Sequence, residues 1–538
     1  MKKIILFSIS AALFTSCASI FIPKKEKLTI NTGQSKAIVY VEKEEFGEGT
    51  SVIGKVKKEG SKQVIIKTPG YKNQYNVLLQ THRPIAFYPL AVLDATCYYG
   101  LMLDFINPKL WSYDKVNDFN VSEKLVIRGT TDKYIDISNI RVSIKNAEKD
   151  IANIIVKYSK ENLNQNIEDA EKKKDSKEAK AEIAKLKKDK KKGKKGKDLE
   201  DEDKNLKYND IKYSENVYKT LRTTGFIDTI NKVFSDNNNS LVLEGNIKKL
   251  YVYTIYKKRN SYNKTKLFMT WYIKNTFDEI LDSVETKDFS GDFVVDYGDA
   301  DKSYDKMFAD AVDIAYLRLH KNPKLTKYLK QEKSLEITES TINIVKPKAI
   351  VSEKTDAAVA SVIVKTKDGH GSGFAISNDG YIITNYHVVA GKFAGKLNTV
   401  KIITSEGEEL EGTVVRTNKF RDLALIKVNK NFEKAFLVSN VKAFKNLQDV
   451  ITIGAPKSIE LGQSVSSGVI SNERKANNNY LLQLGMSVNG GNSGGPLYDA
   501  SGKLHGVIVS KLVGQNTEGV SFAIPSHMIE EYLHLKIN

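Results

Sequence analysis

The sequence predicts a multidomain chain: a small β domain, an α+β domain with a charged insert, and an all-β C-terminal third. Three observations predict it. At 538 residues the chain is too long for a single hydrophobic core. Strand-like runs such as Tyr381-Ile382-Ile383 and Leu423-Ala424-Leu425-Ile426 crowd the last third. The middle is divided by residues 160–207, with Lys187-Lys188-Asp189-Lys190-Lys191-Lys192 at their centre, a composition that cannot bury enough surface to offset ordering entropy.

Met1-Lys2-Lys3 and the apolar run Ile4–Phe14 have the charged head and short hydrophobic body of an export signal, too short to span a bilayer. The run ends in Phe14-Thr15-Ser16-Cys17, which resembles a bacterial lipoprotein lipobox, although the family prefers Leu at position 14. That resemblance implies a signal peptide over 1–17, lipidation of Cys17, and stable anchoring to a membrane of the bacterial cell envelope through two or more acyl chains. Ala18-Ser19-Ile20 carry no acidic surface-export signal, so the expected side is the periplasm. Cys97 is the one other cysteine, so no internal disulfide is expected once Cys17 is lipidated. The net charge of +18, from 83 Lys and Arg against 65 Asp and Glu, suits nucleic acid, anionic lipid or plain solubility. In an exported chain, nucleic acid is not an expected partner.

Residues 24–82 alternate in strand fashion, with Val39 and Val41 around Tyr40, and Thr68-Pro69-Gly70-Tyr71 marks a turn. The order of these features is similar to a PEGA-type β domain, here expected to be a spacer with no site. Residues 83–118 contain the most apolar internal stretch, Ile85–Ile106, but Asp94 and Asp104 argue against a membrane helix, since each ionised carboxylate costs about 3 kcal/mol in mid-bilayer. Residues 119–320 are expected to be the α+β domain: a strand at Leu125-Val126-Ile127, a helical pattern from Ile151 to Tyr158, the insert at 160–207, a helix over Val217–Phe226, strands at Leu241–Ile247, Leu250–Tyr256 and Leu267–Tyr272, and a closing helix near Met307–Leu317. Tyr251, Tyr253, Tyr256, Trp271 and Tyr272 are expected to pack, and no catalytic constellation is found there. Residues 321–351, charged and holding Pro323 and Pro347, predict a linker.

In the last third, Gly490-Gly491-Asn492-Ser493-Gly494-Gly495-Pro496 sets a serine among four glycines. Glycine permits positive φ and lets a carbonyl approach the amides of Gly491 and Ser493, so Ser493 is a candidate nucleophile beside an oxyanion hole. Such a serine needs a base and an orienting acid. Thr384-Asn385-Tyr386-His387-Val388-Val389 supplies one and Arg421-Asp422-Leu423-Ala424-Leu425-Ile426 the other. The order His387, Asp422, Ser493 is that of the two-barrel chymotrypsin architecture. With Gly519-Val520-Ser521-Phe522-Ala523-Ile524-Pro525, these motifs resemble the HtrA/Deg branch of trypsin-like serine proteases over residues 352–538.

The resemblance implies a chymotrypsin-like double β-barrel that cleaves protein or peptide substrates without metal or cofactor, and it is compatible with a homo-oligomer. No His/Cys cluster has zinc spacing. Asn492 stands where digestive relatives have an aspartate that pairs with a newly cut N-terminus, so control by loop ordering or oligomerisation is expected in place of a zymogen cut. Gly490 replaces the usual Pro, and Gly485-Met486 the frequent Asp-Ala. The specificity pocket is expected along Val507–Lys511 and Leu512–Gly519, with small aliphatic residues preferred. A helix is expected over Met528–Leu535, and the PDZ domain common in the family is not expected. The functions expected are quality control or processing of envelope proteins; a catalytically silent chaperone or pseudoprotease, and an envelope-assembly lipoprotein acting through residues 24–345, are the other readings of the same residues.

Overall fold

A computed structural model describes residues 22–84, 110–142, 151–157, 167–168, 210–227, 240–257, 260–295, 300–330, 340–367, 369–391, 395–396, 398–440, 442, 444–455, 460, 462–476, 479–509 and 521–538. The lipobox at Cys17, the apolar run 85–106, nearly all of the charged insert and the pocket loop 512–519 lie outside them.

The N-terminal unit is built from two layers, antiparallel except for one short parallel strand. Ile38–Val41 lies between Glu44–Glu48 and Lys62–Lys67, and Gln74–Leu78 extends that sheet; the facing sheet is Ser51–Lys57 with Lys25–Asn31. Alternation produces its core, as Leu28, Ile30, Val39, Val41, Val64 and Ile66 all point inward. The unit also takes in residues from the expected apolar segment 83–118. Val116–Asp118 pairs in parallel with Thr29–Asn31, Ser112–Tyr113 pairs with Gln80–His82, and Tyr113 is fully buried. A boundary at 118 therefore cuts through this unit.

The middle unit centres on the long strand Ser240–Lys257, which pairs along its length with Asn260–Lys274, itself flanked by Ile280–Phe289. The two strands expected at 241–247 and 250–256 are thus one, interrupted only by a bulge between Ile247 and Lys249. Tyr134–Val142 and Ile151–Lys157 both run parallel to it, one after the other. Helices Asp210–Thr223 and Ala300–His320 contribute Val217, Leu221, Val312 and Tyr316 to a core with Leu243, Met269 and Trp271.

Three local expectations are corrected. Ile151–Lys157 is a strand, because its Ile154-Ile155-Val156 run fits the edge of a sheet better than a helix. Leu125–Ile127 is not: beside it stand the bridge Tyr71–Lys124 and a hydrogen bond from Leu125 N to Gly70 O, no ladder forms among the described residues, and Ile127 is exposed. The linker expected at 321–351 contains regular structure on both sides of residues 331–339, which lie outside the described ones. Pro323–Leu329 is a helix capped by Asn322, with Leu325 and Leu329 in the middle core; Ile342–Ile344 pairs in parallel with Leu535–Ile537.

The C-terminal region consists of two closed six-stranded barrels. The first runs Ser361–Lys365, His370–Ala375, Tyr381–Thr384, Leu423–Lys427, Glu409–Asn418, Thr399–Ile403; the second runs Asp449–Gly454, Ser464–Ala476, Asn479–Gly485, Ser521–Pro525, Leu504–Val509, Pro496–Tyr498. Each barrel has its own interior, Val364, Ile382 and Ile426 in one and Val450, Leu482 and Ile508 in the other. A third apolar cluster, including Phe374, Leu425, Phe436, Tyr498 and Val507, joins them. The expected helix Met528–Leu535 is shorter: Ile529–Leu533 is helical, His534 turns left-handed at φ 51°, and Leu535 begins the strand that covers Ile342–Ile344.

Candidate active site between the barrels

His387 sits on a single helical turn, Tyr386–Val389, at the end of strand Tyr381–Thr384. Val388 and Val389 are buried, which turns the imidazole toward the surface, 19% exposed. Strand Leu423–Lys427 pairs with Tyr381–Thr384, so Asp422 at its head lies beside that turn. Its carboxylate is held at both oxygens by one residue: His387 Nδ1 is 2.7 Å from Oδ2, and the His387 amide donates to Oδ1 at 2.9 Å. Asn385 Nδ2 donates to the Asp422 carbonyl at 2.9 Å. Asp422 has φ 51°, a conformation that costs a non-glycine residue on the order of 1 kcal/mol and persists only where the surroundings impose it. With Nδ1–H donating to the carboxylate, the neutral imidazole keeps its lone pair on Nε2.

Ser493 lies in the turn between Asn479–Gly485 and Pro496–Tyr498, on the second barrel, and is 3% exposed. Asn492 N donates to Asn489 O, Gly495 N to Asn492 O, and Gly494 N to Ile508 O. Gly494 has φ 85°, and a Cβ there would stand 2.2 Å from Ser372 O, 2.3 Å from Thr384 Oγ1 and 3.0 Å from Asn385 N. The nucleophile turn thus presses against the backbone two residues before His387. Gly491 has φ 100°, and a Cβ there would overlap Ala455 O at 2.1 Å, so only glycine fits where the candidate oxyanion amide is presented.

Sequence reasoning missed Ser372 and His370. Ser372, buried on the first barrel, donates from Oγ to Gly491 O at 2.7 Å and from its amide to Ser493 O at 2.7 Å, and its carbonyl accepts from Thr384 Oγ1 at 2.7 Å. One residue of the first barrel therefore fixes two carbonyls of the second barrel's serine turn. His370 Nε2 lies 2.9 Å from Ala455 O, beside the same turn. The signal available was Gly371-Ser372-Gly373, a small-residue run inside a strand, which marks close backbone approach. Asn492 is buried, and its Oδ1 has no hydrogen-bond partner among the described residues. The strand expected to line the specificity pocket is described as Leu504–Val509.

Residues 371–507 match the family model for the trypsin-like peptidase domain. A serine protease HTRA1A of Danio rerio is 31% identical over 228 residues, 40% of this chain and 43% of its own length. A probable periplasmic serine endoprotease, DegP-like, of Pseudomonas fulva is 36% identical over 162 residues, 29% of this chain and 32% of its own. The chain thus spans less than half the length of these relatives. A serine endoprotease structure from Yersinia pestis is 31% identical, with a TM-score of 0.28, covering 33% of this chain and 62% of that one. The C-terminal region of this chain is a trypsin-like peptidase domain with HtrA and DegP-like homologues.

Proposed function

We propose that the protein is a lipid-anchored serine endopeptidase of the bacterial cell envelope, acting on protein or peptide substrates in quality control or processing. The observation that carries this reading is the two-point hold of Asp422 on His387, beside a turn that presents Ser493. Ser493 Oγ attacks the scissile carbonyl while His387 Nε2 takes its proton and later gives it to the leaving amine. Asp422 keeps the proton on Nδ1 and stabilises the imidazolium as it forms. The amides of Gly491 and Ser493 receive the oxyanion, each contributing about 3 kcal/mol to the transition state. The acyl group left on Ser493 is then hydrolysed by a water whose proton goes to His387 Nε2, and His387 returns that proton to Ser493 Oγ as the acid product leaves. The periplasmic relatives support an envelope location, and the lipobox resemblance at Cys17 supports attachment to a membrane.

A fluorophosphonate tests the reading on the full-length protein. Wild type gains one covalent phosphonyl group, mapped by peptide mass to Ser493, and Ser493→Ala gains none. A folded wild-type protein that stays unmodified, or a label on another residue, contradicts the assignment.

A further inference from the structure

Strand Glu409–Asn418 turns into strand Leu423–Lys427 through Lys419-Phe420-Arg421-Asp422. The far side of this turn is fastened within the peptidase region. Asn418 Nδ2 donates to Tyr532 O at 2.8 Å, its Oδ1 accepts from Arg421 N at 3.1 Å, and the Arg421 guanidinium lies 4.5 Å from the Tyr532 ring centre. The near side is fastened to the α+β unit. Lys419 N donates to Thr276 O at 3.2 Å, and Lys419 Nζ pairs with Asp136 Oδ2 at 2.7 Å.

Both points of the α+β unit that hold Lys419 are stiff. Asp136 belongs to the sheet strand Tyr134–Val142. Thr276 lies in the turn between strands Asn260–Lys274 and Ile280–Phe289, where Asn275 Oδ1 accepts from the amides of Phe277 and Glu279 and Asn275 Nδ2 donates to Glu279 Oε2. Lys274 braces the same turn, donating to Glu244 at 2.7 Å and to Asp278 at 2.9 Å from a nearly buried position. A polar network satisfied in this way stiffens the turn that carries it.

We infer that the α+β unit positions Asp422 for catalysis by gripping Lys419, so that docking of this unit sets how well His387 is oriented. Asp422 is three positions from Lys419 and holds a left-handed φ, so the carboxylate depends on how firmly the turn is held from both sides. Lys419 and Asp136 are positioning residues: neither touches His387 or Ser493 among the contacts described above. This inference rests on the proposed role of Asp422.

The test uses the full chain with Lys419→Ala, Asp136→Ala, and the exchange Asp136→Lys with Lys419→Asp. Each single change slows fluorophosphonate labelling about threefold to fivefold, the range open to a partly exposed ion pair. It lowers kcat for a peptide substrate and leaves KM unchanged. The exchange restores labelling to within about twofold of wild type. Single variants that label at the wild-type rate overturn the inference, as does an exchange that stays as slow as the singles while the circular dichroism is unchanged. Should wild type not label at all, the hydrolase assignment fails on its own, and the His387 Nδ1 proton still decides: its exchange with water is faster in Lys419→Ala if Lys419 steadies Asp422, and equal to wild type if it does not.

Discussion

Two histidines in the peptidase region meet an aspartate at nearly the same distance, His387 Nδ1 with Asp422 at 2.7 Å and His505 Nε2 with Asp499 at 2.9 Å. They differ in what surrounds the pair. The His505 side chain is 1% exposed, and its Nε2 also lies 3.0 Å from the Gln448 amide. Asp499 spends its second oxygen on its own hairpin, accepting from the amides of Ser501 and Lys503. Burial pushes the Asp499 carboxyl up, but hydrogen bonds from Ser501, His505 and those amides outweigh it and hold the group below the usual carboxylate range. Stability from that carboxylate is present above its unfolded pKa and is lost as pH falls through the lower folded one. Asp422, by contrast, gives both oxygens to His387, and that pair stays partly open to solvent at the junction of the barrels. Distance alone does not separate the pair proposed to be catalytic from the pair that braces a hairpin. Exposure and the number of competing partners differ between them.

The sharpest way to break this contrast is at the acid. Asp422→Asn should lower kcat about 10⁴-fold with thermal stability nearly kept, because the wrong imidazole tautomer is then favoured. Stopped-flow or long-time-course assays of a peptide substrate measure it, and a loss under tenfold would place Asp422 with Asp499 as a structural acid. A smaller effect is expected at the barrel junction. Ser372→Ala removes the hydroxyl that fixes Gly491 O, so kcat/KM should fall between about ten- and a hundredfold through a displaced oxyanion turn. Unchanged kcat/KM would show that the turn holds its shape without the first barrel.

The paired barrels were legible because each informative motif is local: a strand followed by His387, an acid heading a strand at Asp422, and glycines around Ser493. What escaped is what only tertiary pairing decides. Ile342–Ile344 reads as a linker until Leu535–Ile537 lies beside it, and Ile151–Lys157 reads as a helix until Ser240–Lys257 offers it an edge. Ser372 escaped for the same reason, since a lone serine in a strand carries no trace of the two carbonyls it reaches on another barrel. The grip on Lys419 joins residues far apart in sequence and has no motif at all.

The most direct test of the account compares the two histidines in one experiment: acylation rates of His387→Ala and His505→Asn under identical single-turnover conditions. His387→Ala should lose on the order of 10⁶-fold while His505→Asn stays within about threefold of wild type and loses roughly 1–3 kcal/mol of stability. Equal losses from both variants, or a fast His387→Ala, would contradict the assignment of His387 as the proton carrier for Ser493.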